Sequence, residues 1–274
     1  MRSNLSLMFA LALSTAAVGC TEQDASEVFD DESPSLETEG THGSGGTNGL
    51  GEEDYLTYRY HVGYVAMKYP FLVNNNTMVN PNIISSSSPA GWFRVFSYMF
   101  ACVVPDGGTW TLNGVTFTGR GHLKTGTEWY GAPLSPARAQ QLVACVTAHV
   151  NPYHLQVPIH LSGPQIKDDS GILFYYPVEE ALWTVKFGVD FVPTITAYPA
   201  TPLVTSCGEN VYQAIKNRVC GQSPESCNLT VGNMDSCTFV TGQGYSCNGQ
   251  PAILTRLMQS GYDSLYSTCG APAL

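Results

Sequence analysis

The stretch SPARAQQLVACVTAHVNPYHLQVPIHLS, residues 135–162, sets a helix directly before a strand. Ser135 followed by Pro136 is a helix start, a short hydroxyl side chain at the cap and then a residue whose fixed φ suits the first turn. Ala139, Leu142, Val143, Val146 and Val150 recur every three or four residues, as one face of a helix requires. Asn151-Pro152 ends it. Leu155, Val157, Ile159 and Leu161 then alternate with Gln156, Pro158, His160 and Ser162, the two-residue period of a strand. Pro158 cannot donate to a ladder, which places this strand near a sheet edge.

Working outward, Trp110 to Phe117 reads as a hairpin, because Asn113-Gly114 is the preferred pair for a tight type I′ turn. A two-residue loop sets Leu112 opposite Val115 and Trp110 opposite Phe117 on an apolar face, with Thr111 opposite Thr116 on a polar one. Residues 55–73 are rich in Tyr, Val and Phe, which predicts strands; residues 74–91 carry Asn, Ser and Pro and predict loop. Phe93 to Val104 is a buried apolar segment whose periodicity does not separate helix from strand. Val178, Ala181, Leu182 and Val185 predict a second, shorter helix, and Val211 to Arg218 a helical patch in an otherwise loop-rich, cysteine-dense end. Without a regular βαβ rhythm, the fold class is α+β: a single disulfide-stapled domain with β-hairpins, a few short helices and a loop-rich C-terminal part.

The chain has 274 residues, 43% of them hydrophobic and only 12% charged, enough to bury a core and too few charges for coiled coil. Its net charge of −10 is unevenly placed. Residues 21–54 hold eleven acidic residues and no Lys or Arg, whereas residues 55–274 are balanced at eleven of each sign. The folded part therefore offers no basic footprint for nucleic acid.

The N-terminus reads as an address. Arg2 precedes an uncharged, mainly apolar run from Leu5 to Ala17, too short to span a bilayer, and Ala17-Val18-Gly19-Cys20 resembles a bacterial lipobox. The expectation is a lipoprotein signal peptide over 1–19, acylation of Cys20, and an acidic Gly/Ser-rich disordered tether over 20–54 leading to a globular cysteine-rich domain over 55–274. Thr21 after the lipidated position, in place of an Asp that would retain the protein at the inner membrane, points to the outer membrane.

Nine cysteines are odd for an exported protein, and setting Cys20 aside leaves eight that can pair completely in an oxidising compartment. Cys102 and Cys145 stand well before the rest, and Cys145 borders the apolar face of its helix, so these two are expected to bridge. Cys207, Cys220, Cys227, Cys237, Cys247 and Cys269 are left to form three bridges among themselves, in a connectivity that spacing leaves open.

Several motifs, in order, resemble the uncharacterised cysteine-rich secreted lipoproteins abundant in myxobacteria. They are Cys102-Val103-Val104-Pro105-Asp106-Gly107, a Gly-rich run to Trp129, Val143-Ala144-Cys145 with Asn151, the strand Val157 to Gly163, Glu179-Glu180-Ala181-Leu182, and the cysteine-rich end from Cys207 to Cys269. The resemblance spans roughly residues 95–269 and implies a location and a cysteine framework, with no activity attached. His160 and Ser162 stand where that family carries Ser and Arg.

The chain contains no G-x-S-x-G, no H-E-x-x-H, no phosphate loop and no C-x-x-C, and no cofactor is implied. His149, His154 and His160 lie within twelve residues and could ligate zinc only if the fold drew them together; three ordinary hydrogen-bonded histidines are the simpler reading. Glu179 and Glu180 could serve as an acid/base pair, although adjacent helical positions diverge, and Glu179 could instead complement a helix N-terminus. Asp168 and Asp169 read as turn residues. Trp92, Trp129, Tyr130 and Trp183 could line a glycan groove but more commonly belong to a core. The expected function is that of a lipid-anchored cell-envelope protein in a non-enzymatic binding or envelope role, its expected partner being the membrane through Cys20. The alternative is a secreted hydrolase in which Glu179 or a histidine participates.

Overall fold

The computed structural model describes residues 45–74, 78–123, 126–151, 155–163, 170–200, 210–221, 227–241 and 243–266. In chain order the elements are β1 (Gly45–Asn48), α1 (Glu52–Lys68), β2 (Leu72–Val73), β3 (Met78–Val79), α2 (Ala90–Val103), β4 (Thr109–Leu112), β5 (Val115–Thr118) and α3 (Gly126–Tyr130). Then follow α4 (Pro136–Ala148), β6 (Val157–Ser162), β7 (Val178–Phe187), β8 (Pro193–Pro199), α5 (Val211–Cys220), β9 (Leu229–Val231), β10 (Cys237–Val240), β11 (Gly244–Cys247), β12 (Gln250–Pro251), β13 (Ile253–Leu257) and α6 (Gln259–Tyr266).

A six-stranded sheet in the order β1-β6-β13-β7-β8-β9 forms the frame, antiparallel except for the β8–β9 pair. On one face α1, α2 and α4 pack on one another, with α4 against β7 and β13. On the other face Leu182, Leu254 and Tyr198 meet Cys247, Ala252 and Tyr245 of the small β10-β11-β12 sheet and its turns. The architecture is α+β with β-hairpins, and three disulfides are present among the described residues: Cys102–Cys145, Cys220–Cys227 and Cys237–Cys247. Cys20, Cys207 and Cys269 lie outside the described residues.

Helix α4 begins where turn chemistry places it, with Ser135 in extended conformation and Pro136 in the first turn, although the Ser135 side chain makes no capping bond. The β4–β5 hairpin has the expected register, Leu112 opposite Val115 and Trp110 opposite Phe117, with Asn113 and Gly114 both at positive φ. Phe117 packs edge-on against Phe96 of α2, which ties the ribbon to the helices. The apolar segment before Val104 is helical as α2, burying Trp92, Val95, Phe96, Met99 and Val103 at a spacing of three or four.

Three expectations are corrected. Residues 55–68 form α1 rather than strands. Their β-favouring side chains fall at helical spacing, with Tyr55, Arg59, Val62 and Ala66 buried, and Glu52, Glu53 and Asp54 complement the N-terminus. Val178 to Val185 is strand β7, not a helix; both faces of this strand are covered, so the run from Glu180 to Val185 is buried throughout and loses its alternation. The folded part starts before residue 55: β1 pairs with β6, and Leu50 is only 1% exposed. β1 takes the edge of the sheet and β6 stands next to it, near the edge as Pro158 implies, with Thr47 of β1 opposite Pro158.

Cys102 at the end of α2 and Cys145 in α4 clamp two core helices, with both residues fully buried. Their separation of 43 residues makes the bridge a long-loop constraint on the unfolded chain. Replacing both by Ala should lower unfolding free energy by about 4 kcal/mol in the loop-entropy picture. Urea unfolding of the double variant, with the other bridges intact, checks this.

Candidate functional site

The placement of Glu179 and Glu180 is decided by a β-bulge. Along the β7–β13 ladder Leu182 stands opposite Leu254 and Ala181 opposite Thr255, but the next partner of Arg256 is Glu179. Glu180 is the extra residue. In an uninterrupted strand it would share a face with Leu182; the bulge turns it toward the helices instead and leaves Glu179 on the other face. The two carboxylates therefore occupy separate sites on a strand, and the helix N-terminal role considered for Glu179 is overturned.

On the helix face Glu180 is completely buried, and so is the guanidinium it meets. Arg218 of α5 forms an ion pair with Glu180 through Nε, and its Nη2 donates to Glu180 Oε2 at 3.1 Å. Nη2 also donates to the Ala148 carbonyl at 2.8 Å, and Nη1 to the Val150 carbonyl at 2.6 Å, satisfying oxygens freed at the end of α4. The guanidinium lies 5.4 Å from the Trp183 ring centre. Tyr266 of α6 donates to Glu180 Oε1 at 2.6 Å, and burial together with the Glu180 charge pushes its phenol well above the usual range. One bulged residue thus collects α4, α5 and α6.

Beside this network, at the C-terminal end of α4, sits His149. Its Nδ1 is 2.7 Å from the Cys145 carbonyl, while Nε2 is buried with no hydrogen-bond partner among the described residues. Its ring lies 5.2 Å from both the Tyr98 and the His122 ring centres. Burial pushes the imidazole down to about 4; the Cys145 carbonyl opposes this shift and the Arg218 charge adds to it.

The opposite face of the sheet carries a polar row. His160 of β6, Arg256 of β13 and Glu179 of β7 stand side by side across three strands. Arg256 Nη2 donates to Glu179 Oε1. Ser162 Oγ is 3.3 Å from His160 Nδ1, the Tyr176 ring centre is 5.7 Å from that of His160, and Tyr245 from β11 approaches Arg256 and Glu179. Burial, and then the Glu179 charge, raise the Tyr245 phenol. Glu179 keeps 36% of its side chain exposed and Arg256 19%, so this ion pair can meet a ligand, unlike Glu180 and unlike His160, which is only 2% exposed.

The histidines do not converge as a zinc set. His149 lies on the helix side of the sheet and His160 on the other; His154, like Asp168 and Asp169, is outside the described residues. Nor do the aromatics form a glycan groove: Trp92, Trp129 and Trp183 are buried, each indole donating to an internal oxygen, of Ile83, Tyr69 and Thr255 in turn, and Tyr130 packs on Phe71. Arg218, Arg256, Tyr245 and Tyr266 escaped the sequence reading. Arg218 left a trace, a lone cation in line with Val211, Ala214 and Ile215 on one helical stripe. No family model, curated protein or solved structure matches the chain.

The lowered His149 value carries a stability prediction. Between about 4 and the ordinary 6.5 the unfolded chain binds a proton that the folded chain refuses. Stability from this residue is therefore complete above 6.5 and falls as pH drops toward 4. Urea unfolding at pH 7 and pH 4.5 should show wild type losing about 2 kcal/mol more over this interval than His149→Gln, whose side chain does not titrate. Equal losses would contradict the assignment.

Proposed function

We propose that the protein is an exported, lipid-tethered envelope protein with a binding rather than a catalytic role. The observation that carries the non-catalytic reading is the engagement of both candidate carboxylates. Glu180 is buried against Arg218, and Glu179 is held by Arg256. An acid/base pair needs two carboxyl groups facing one substrate, and these two face opposite sides of a sheet. Export is supported by the disulfides, which persist in oxidising compartments, together with the lipobox-like run ending at Cys20 and the resemblance to myxobacterial secreted lipoproteins. The ion pair of Arg256 and Glu179, flanked by Tyr245 and backed by the buried His160, is the surface on which a polar ligand would be recognised.

A second reading, a secreted hydrolase, is favoured by the contact of Ser162 Oγ with His160 Nδ1. A serine beside an imidazole is the beginning of an activated nucleophile. Against it, His160 is only 2% exposed, which leaves its ring little access to a substrate.

Expression of wild type and Cys20→Ala in a bacterial host, followed by detergent-free fractionation, tests the tether. The wild type should sediment with membrane and the variant should be soluble; a variant that still sediments contradicts the anchor. Incubation with a fluorophosphonate probe tests the second reading, and the binding account expects no adduct on Ser162. Labelling that disappears in Ser162→Ala, together with ester turnover, would reverse the assignment.

A further inference from the structure

The interior around the end of α4 contains a cluster that the proposed function does not use. The sulfurs of Cys102 and Cys145 and one ring nitrogen of His149 lie within 4.8 Å of one another. His149 is 1% exposed and both cysteines 0%. The ring is oriented from one side only: Nδ1 meets the Cys145 carbonyl, so this nitrogen carries the proton and Nε2 keeps its lone pair. That lone pair has no hydrogen-bond partner among the described residues, an arrangement that buried polar atoms rarely tolerate without a reason. A backbone carbonyl on one imidazole nitrogen with the other left basic and free is how metal-ligating histidines are held.

We propose that reduction of the Cys102–Cys145 bridge converts this cluster into a zinc site, with two thiolates and the His149 imidazole as ligands. The donor set is two sulfurs and one nitrogen, borderline-soft and suited to tetrahedral zinc, and the fourth position takes water or a neighbouring side chain such as His122. Two thiolates on one tetrahedral zinc stand about 3.8 Å apart. The Cα separation of 6.3 Å lies toward the long end of what a disulfide spans, so the sulfurs can part by side-chain rotation without moving α2 from α4. An external dithiol supplies two electrons and two protons, is itself oxidised to a disulfide, and leaves Cys102 and Cys145 as thiols. Zinc then displaces one proton from each thiol to solvent, and His149, already neutral, contributes its lone pair without releasing a proton. The bridge and the metal site are mutually exclusive states of the same residues.

Because these groups are buried, the full chain is unfolded in denaturant with excess dithiol and refolded with either zinc or a chelator. It is then moved into oxidised glutathione, and each bridge is timed by peptide mapping. Zinc should slow re-formation of Cys102–Cys145 by about tenfold or more relative to chelator, the scale on which metal-site contacts act, and leave Cys237–Cys247 unchanged. His149→Gln should abolish the zinc effect. Should that variant fail to fold, the selectivity in wild type decides by itself. Equal re-formation rates of Cys102–Cys145 with zinc and with chelator, or equal slowing of every mapped bridge, would overturn the proposal.

Discussion

The buried pair of Glu180 and Arg218 is the constraint on which the rest of the structure depends. A carboxylate placed in a core is costly unless it is both paired and hydrogen-bonded. Here Oε1 receives the Tyr266 hydroxyl, and the guanidinium also donates to the Ala148 and Val150 carbonyls. These groups come from four elements, so the pair is satisfied only when α4, α5, α6 and β7 are in place together. The bulge in β7 is what makes this possible. It also delivers Glu179 to the opposite face, where the ion pair with Arg256 heads a polar row.

The disulfides act at the edges of this arrangement. Cys102–Cys145 ties α2 to α4 a few residues before the carbonyls that Arg218 reads, and Cys220–Cys227 closes the loop just beyond α5, which carries Arg218. Cys237–Cys247 joins directly opposed residues of β10 and β11, fixing the register of the small sheet that brings Tyr245 over the polar row. Polar core and cystines thus support the same boundaries between elements, which fits a chain with few surface charges and much irregular structure.

Legibility in the sequence followed locality. Asn113-Gly114 demands positive φ at both positions whatever surrounds it, and Ser135-Pro136 favours a helix start on its own, so both were readable. The segments that misled were those whose conformation is set by distant partners. Tyr and Val in residues 55–66 favour strands locally, and packing of their helical face against α2 and α4 overrides that preference. β7 imitates a helix because Val178, Ala181, Leu182 and Val185 happen to fall at helical spacing on a strand covered from both sides. The bulge itself has no local signature. It arises from pairing with β13, more than seventy residues later, and so the sorting of Glu179 from Glu180 could not be read from the strand. Of the polar row, His160, Ser162 and Glu179 stood out as residue types, while Arg256 joins them only through the register of the sheet.

A double-mutant cycle on Glu180 and Arg218 tests the central claim most directly. Glu180→Gln, Arg218→Met and the combined variant are unfolded in urea at neutral pH. Because each single change strands a buried charge or donor, each should cost about 3–5 kcal/mol, and the combined variant should cost clearly less than the sum. Single losses below about 1 kcal/mol that simply add would show that the pair is incidental to the packing around it.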